Sequence, residues 1–340
     1  MPAATTSRHD PRQTTTFDRA RLAGTRRERV EMPVYNGVFA RISPVIRGLM
    51  LMALAVMAFA PRHAQAAQSY DGCTGFVTSL PVVIDTPGTW CLKQDLATAI
   101  TSGNAITLNS DNVVLDCNGF SLDGRAGGVA ASTYGVQSIN HRKETVRNCH
   151  IQGFFFGVGL YQEEDRSLNP GNVGHVIEDN FFDANTSIGA RVDGDGSIVR
   201  RNRFRNIAGS TISGSFAAIQ TSFSVDVLDN DIFGVAASEN GSAEGISVYA
   251  NTSGSINGNR IRGLVKGAPA GGYSGAAEAI TINGSGRIVV RNNDLSGDTS
   301  DFNFGLSCQD SLARISNNVI GGFSVPVHGC GDAGGNDITP

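Results

Sequence analysis

Two stretches of this chain, Ile177-Glu178-Asp179-Asn180-Phe181-Phe182 and Val199-Arg200-Arg201-Asn202-Arg203-Phe204, are copies of one pattern. An aliphatic residue is followed by two mostly polar residues, an Asn, any residue, and then Ile, Leu or Phe. The pattern returns upstream at Val146-Arg147-Asn148-Cys149-His150-Ile151, with Cys in the Asn position. Downstream it returns at Val227–Ile232, Ile256–Ile261, Val290–Leu295 and Ile315–Ile320. From Asn180 to Asn318 the Asn positions lie 22, 28, 29, 34 and 25 residues apart. A floor near 22 with larger values reads as a constant coil carrying variable loops, and such periods signal a stacked fold. The Asn column has a physical use. Stacked side-chain amides hydrogen-bond one another as a ladder, and Asn tolerates the left-handed backbone of a sharp corner. A Gly four residues after it (Gly153, Gly234, Gly263, Gly297, Gly322) suits the next corner.

Each repeat holds a second strand-like segment. Examples are Gly135-Val136-Gln137, Gly157-Val158-Gly159-Leu160, Ala218-Ile219-Gln220-Thr221, Gly245-Ile246-Ser247-Val248, Ala279-Ile280-Thr281-Ile282 and Gly305-Leu306-Ser307-Cys308. Alternating apolar and small or polar residues mark half-buried strands. No convincing helical period follows, apart from one short helix expected over Gln94 to Thr101 as a lid. Eight or nine coils at about 4.8 Å each predict a rod of roughly 40 Å.

The first 66 residues read differently. Gly48 to Ala60 is an apolar and small-residue run of 13, preceded by Arg41 and Arg47 and followed by Ala64-Gln65-Ala66. That is the layout of a secretory signal peptide. It is too short for a membrane span, which needs about 20 apolar residues. Met32 as the translation start gives a signal of ordinary length; a basic extension is the alternative. Of the 27 Lys+Arg, 10 precede residue 67, as do 4 of the 31 Asp+Glu, so the remainder carries a formal charge of −10 rather than −4. This excludes general nucleic-acid binding, which rests on positive charge. All six cysteines fall in the exported part, and none has C-x-x-C spacing. An even number in an exported chain suggests disulfides. Position in the repeat pairs Cys117 with Cys149, and the two ends pair Cys73 with Cys91 and Cys308 with Cys330; free buried thiols are the alternative for the middle pair.

The segment Asn112-Val113-Val114-Leu115-Asp116-Cys117-Asn118-Gly119-Phe120-Ser121-Leu122-Asp123-Gly124, with Pro87-Gly88-Thr89-Trp90-Cys91-Leu92 before it, resembles the first coil of the pectate-lyase-like right-handed parallel β-helix superfamily. The resemblance covers about residues 80 to 328. It implies an all-β, single-stranded right-handed parallel β-helix with about 8–9 coils and capped ends. The domain reading is an extension plus signal (1–66), an N-terminal cap (67–104), the β-helix (105–328) and a tail (329–340). The superfamily spans lyases, hydrolases, epimerases, tailspikes and adhesins, so the fold leaves the activity open. The galacturonan-hydrolase and pectate-lyase residue sets are both incomplete here. No cofactor is expected, calcium being the one ion this chemistry would bring.

One charged neighbourhood stands out. His141-Arg142-Lys143-Glu144 precedes a strand, and Arg147, Glu178 and Arg200 occupy equivalent outward positions on three successive coils beside Asp179 and Arg201. The long gap after Leu160 carries Glu163-Glu164-Asp165 and overhangs the same coils. In a lyase, Lys143, Arg147 or Arg200 takes the proton beside a uronate carboxylate while another Arg neutralises it. In a hydrolase, two of Glu163, Glu164, Asp165, Glu178 and Asp179 form the acid/base pair. His141 and Arg201 complete the substrate contacts. The competing reading is a solvated ion-pair ladder. His150 and His175 read as surface or turn residues, and Asp193-Gly194-Asp195 as a turn rather than a calcium site. The expectation is a secreted or periplasmic protein that recognises or cleaves a polysaccharide. The alternative is a non-catalytic β-helix that binds glycan or serves as an adhesin or spacer.

Overall fold

The computed structural model describes residues 70–162, 173–249, 253–268, 275–299, 302–309 and 312–339. Glu163, Glu164 and Asp165 lie outside these. Strands along the chain fall in turn into three parallel sheets of 11, 10 and 10 strands. Sheet A begins with Gly75–Val77 and ends with Gly331–Asp332, sheet B runs from Val82–Ile84 to Val325–His328, and sheet C from Leu96–Ala97 to Asp337–Thr339. The chain is a right-handed parallel β-helix. Among the described residues no helix is long and apolar enough to cross a membrane.

The recurring sequence pattern straddles a corner. Its first aliphatic residue belongs to sheet A and its last to sheet C, as with Ile177 on Val176–Glu178 and Phe182 on Phe181–Asp183. Both point inward and are fully buried. Burying about 25 cal/mol per Å² of apolar surface at each such position drives the stacking. The core is one continuous cluster from Val77 to Phe323.

The Asn between them forms the expected ladder. Asn202 Nδ2 donates to Ile177 O at 2.9 Å on the preceding coil and to Asn230 Oδ1 at 3.0 Å on the following one. Asn202 Oδ1 accepts from both the backbone N–H and the Nδ2 of Asn180 at 3.0 Å. The same contacts join Asn230, Asn259, Asn293 and Asn318. At the far end, Asn336 Oδ1 accepts from Asn318, while Asn336 Nδ2 donates to Ile315 O at 3.3 Å and to Asp332 Oδ1 at 2.7 Å. At the near end, Cys149 N–H donates to Asn180 Oδ1 at 3.0 Å. There the Cys117–Cys149 disulfide takes over the ladder position. Cys73–Cys91 and Cys308–Cys330 are also bonded, so all three pairings hold.

Several expectations need correction. The left-handed corner residue is not the ladder Asn but the residue before it: Asn148, Asp179, Arg201, Asp229, Asn292 and Asn317 all have φ between 54° and 57°. The ladder amide has to point inward, so the turn is made one position earlier. Gln94 to Thr101 is not a helix; Leu96–Ala97 is a strand paired with Leu122 and Asp123. The segments read as cap and tail also coil in register, Gly75 against Trp90 and Asp337 against Val319. The rod therefore exceeds eight or nine coils. An open parallel edge offers unpaired N–H and C=O groups, and the flanking chain satisfies them even without the Asn pattern.

Replacing Asn230 by Ala removes four side-chain hydrogen bonds and strands buried partners on two coils. The expected destabilisation is about 3 kcal/mol. The outward Asn257, which accepts from Asn292 at 2.8 Å, loses no more than about 1 kcal/mol on the same change. Urea denaturation of the two variants checks this; equal losses would sink the ladder's role.

Candidate functional site

The outward charges of sheet A stand in register: Asp116, Arg147, Glu178 and Arg200 face one another across successive strands. They neutralise each other in pairs. Arg147 Nε donates to Asp116 Oδ2 at 2.8 Å. Arg200 Nε donates to Glu178 Oε2 at 2.8 Å, and Arg201 reaches Glu178 at 3.0 Å and Asp179 at 2.7 Å. The hydrogen bond from Arg201 holds the Asp179 carboxyl below its usual range and raises the guanidinium in turn. His141 turns to Asp111 at 3.2 Å. Lys143 is exposed with φ 61°, and its backbone N–H donates to Val173 O at 2.7 Å. Ion pairs thus gather Glu178, Asp179, Arg200 and Arg201, with Arg147 on Asp116 beside them. Half-exposed pairs of this kind contribute about 0–1 kcal/mol each.

Beside the cluster, the corner between sheets A and C opens into a groove of about 660 Å³ lined by Asn118, Asn148, His150, Asp179, Phe181, Arg201 and Arg203. His150 stacks on Phe181 at 4.7 Å. His175, read as a surface or turn residue, is buried to 1% exposure, with Nδ1 2.6 Å from the equally buried Glu144. In the Asp193-Gly194-Asp195 turn, Asp193 pairs with Arg191 and Asp195 accepts from Ser224 N–H. Among the described residues no group of three or more His, Cys, Asp or Glu is arranged for a metal.

Sheet B carries a different surface. Its middle outward column reads Gln137, Gly159, Arg191, Gln220, Ser247, Thr281, Ser307. These are outer-face residues, yet Gln137, Arg191 and Ser247 are only 9%, 7% and 0% exposed. The longer side chains on either side explain this. One flank reads Tyr134, Phe156, Ile188, Ala217, Glu244, Glu278, Phe304, and the other Tyr161, Asp193, Ser222, Tyr249, Asn283, Gln309. The result is a trough with a polar floor, running along the rod axis.

A bend builds it. The Cβ of an alanine at Gly135 would point inward against Ile151 and Phe154, both at 2.9 Å. Gly135 and Val136 thus both face the core, and Tyr134 and Gln137 both face out.

The N-terminal third is filled by its own side chains. Tyr134 stacks on Phe156 at 4.6 Å, Gln137 donates to Tyr161 Oη at 2.8 Å, and the Arg191 guanidinium lies 4.3 Å from the Tyr161 ring while pairing with Asp193 at 2.8 Å. Burial raises the Tyr134 phenol. From Gln220 onward the floor is narrower and stays covered: Gln220 is half-buried, while Ser247, Thr281 and Ser307 are buried beneath the flanking side chains. A cavity of about 140 Å³ lies there, lined among others by Gln220, Glu244 and Tyr249. Glu244 and Glu278 sit directly opposite each other on neighbouring strands. Burial, reinforced by the charge of Glu278, raises the Glu244 carboxyl above its ordinary value, against a lowering contact from Ser247. Burial and the Glu244 charge raise Tyr249 likewise.

No protein-family model, curated protein or solved structure matches this chain. The strand-like segments of the sequence place Gln137, Gln220, Ser247, Thr281 and Ser307 at one repeat position, but not the residues that flank them. The signal was the residue before each Gly/Ala-aliphatic pair, as in Tyr134-Gly135-Val136 and Glu244-Gly245-Ile246. Strict alternation assigns Tyr134 and Val136 to the same face, and the bend at Gly135 separates them.

Below its ordinary value of 4.5, Glu244 is protonated folded and unfolded. As pH rises past that value the unfolded chain releases the proton first, so stability falls until the folded group also ionises. Glu244→Gln removes this loss. Its stability relative to wild type is expected to rise as pH climbs above 4.5 in urea titrations; a difference that does not change with pH would contradict the burial described.

Proposed function

We propose that this is an exported β-helix protein, of the pectate-lyase-like kind that its first coil resembles, which binds an extracellular polysaccharide lengthwise in the sheet B trough. The observation that carries this reading is the run of half-buried polar and aromatic side chains that stand in register along sheet B, among them Gln220, Glu244, Tyr249, Glu278, Asn283 and Phe304. Parallel strands recur every ~4.8 Å, so outward side chains meet an extended polymer at that regular interval. The amphipathic Tyr249 and the amides of Gln220, Asn283 and Gln309 suit a ligand that is apolar on its ring faces and polar at its edges.

Three disulfides suggest an oxidising compartment. Together with the signal-like run Gly48–Ala60 they support a secreted or periplasmic protein. The sheet A charges, by contrast, are satisfied by one another.

Affinity electrophoresis through gels containing neutral polysaccharides (xylan, glucomannan, mixed-linkage β-glucan) or acidic ones (polygalacturonate, alginate) tests the reading. Retardation by a neutral polymer is expected. Tyr249→Ala and Phe304→Ala weaken it about tenfold each, the equivalent of about 1.4 kcal/mol, while Arg201→Ala leaves it unchanged. Retardation lost in Arg201→Ala but kept in the trough variants would move the site to the sheet A corner.

A further inference from the structure

We propose that the C-terminal end of sheet A is a binding site for an amphipathic anion, a free acyl carboxylate held by Arg287 and Arg314 with its chain on Val289 and Leu312. The site is separate from the sheet B surface and does not depend on polysaccharide binding there.

The last strands of sheet A form a notch. Three successive strands supply it: Arg287–Arg291, Arg314–Ser316 and Gly331–Asp332. Val289 stands opposite Arg314, and Arg314 opposite Gly331. The outward position of the final strand therefore carries no side chain, and the residue two before it is Gly329. A Cβ added at Gly331 would meet Arg314 Nη1 at 2.8 Å, so the guanidinium already lies over that bare backbone. The notch is a groove of about 650 Å³, lined among others by Arg287, Val289, Leu312, Arg314 and Cys330. That size lies within the range of small-molecule sites, ~300–1,000 Å³.

Two kinds of lining decide the ligand. One is apolar: Val289 and Leu312 are 42% and 60% exposed, beside the Cys308–Cys330 disulfide. The other is cationic. Arg287 and Arg314 are exposed, and among the described residues neither side chain has an ion pair or a hydrogen bond. The lining contains no carboxylate. Asp332, on the final strand, is engaged by Asn336 Nδ2 and Gly334 N–H. Towards the other end of the same sheet, Arg147, Arg200 and Arg201 all have carboxylate partners. Two uncompensated cations thus face one groove in a chain whose part after residue 66 carries a formal charge of −10, and they give it a local field of the opposite sign.

The spacing suits a single anion. Arg287 stands two residues before Val289, which faces Arg314. At ~3.3 Å per residue along a strand and ~4.8 Å between strands, the two Cα atoms lie roughly 8 Å apart. Two guanidinium forks rising from that distance can close on one carboxylate. A small anion without a chain leaves Val289 and Leu312 in water. A neutral apolar ligand leaves both guanidiniums unpaired. An acyl carboxylate answers both.

Isothermal titration calorimetry on the protein with decanoate, decan-1-ol and acetate tests this. Decanoate is expected to bind one per chain, and decan-1-ol and acetate at least about tenfold more weakly. Arg287→Gln, Arg314→Gln and Leu312→Ser each weaken decanoate about tenfold. Arg291→Gln, on the same strand but outside the groove, leaves it unchanged. All four substituted side chains are exposed, so the urea midpoints stay at the wild-type value. Absence of saturable decanoate binding, equal binding of decanoate and decan-1-ol, or decanoate binding unchanged in both groove arginine variants overturns the proposal. Cosedimentation with phosphatidylglycerol vesicles by a protein that does not bind free decanoate also overturns it and makes the groove a membrane contact.

Discussion

Everything in this molecule depends on keeping successive coils in register, and the buried amide column does most of that work. Each ladder Asn binds its own coil to those before and after, through one carbonyl acceptor and one amide partner at 2.9–3.0 Å. A slip of one residue would reverse every side chain between core and surface. It would also strand each amide in an apolar interior, where an unpaired polar group is costly. Hydrophobic burial supplies most of the driving force but is not directional; the amides choose the alignment. At the N-terminal coils, where Cys149 holds the Asn position, its covalent bond to Cys117 makes the same choice.

Registration is also what makes the surfaces legible as columns. Because partners stand opposite each other, any outward residue type repeated from coil to coil becomes a stripe. On sheet A the stripe alternates in sign and closes on itself as ion pairs. On sheet B it repeats carboxylates, and two like charges cannot relieve each other in that way. The same stacking geometry therefore gives a stabilised surface on one side and a strained, chemically distinct one on the other.

The sequence reveals the fold because the fold is periodic. The aliphatic, Asn and aromatic positions recur with their physical reasons attached, and the cysteines pair as their places in the repeat suggest. It is less informative where a coil departs from the pattern. The first coil lacks the Asn and the last carries Asn336 without the aliphatic pattern before it, so they read as cap and tail, although their backbones pair like the rest. The charged residues of sheet A are conspicuous as a run, but whether Arg200 faces a substrate or Glu178 depends on side-chain directions that spacing does not encode. The trough walls are hidden for a related reason. Gly135 and its counterparts shift the alternation by one position, and a reading that counts by twos places Tyr134 and Glu244 on the wrong face.

The rung at Asn336 shows how the column is satisfied without a further amide. Along the ladder each Asn gives one donor to the Asn of the coil that follows; at Asn336 that donor goes to Asp332 Oδ1 at 2.7 Å, and Asp332 also accepts from Gly334 N–H at 2.7 Å. A carboxylate on the same turn thus stands in for the amide oxygen, and the donor that every other rung spends on its neighbour is not left unpaired.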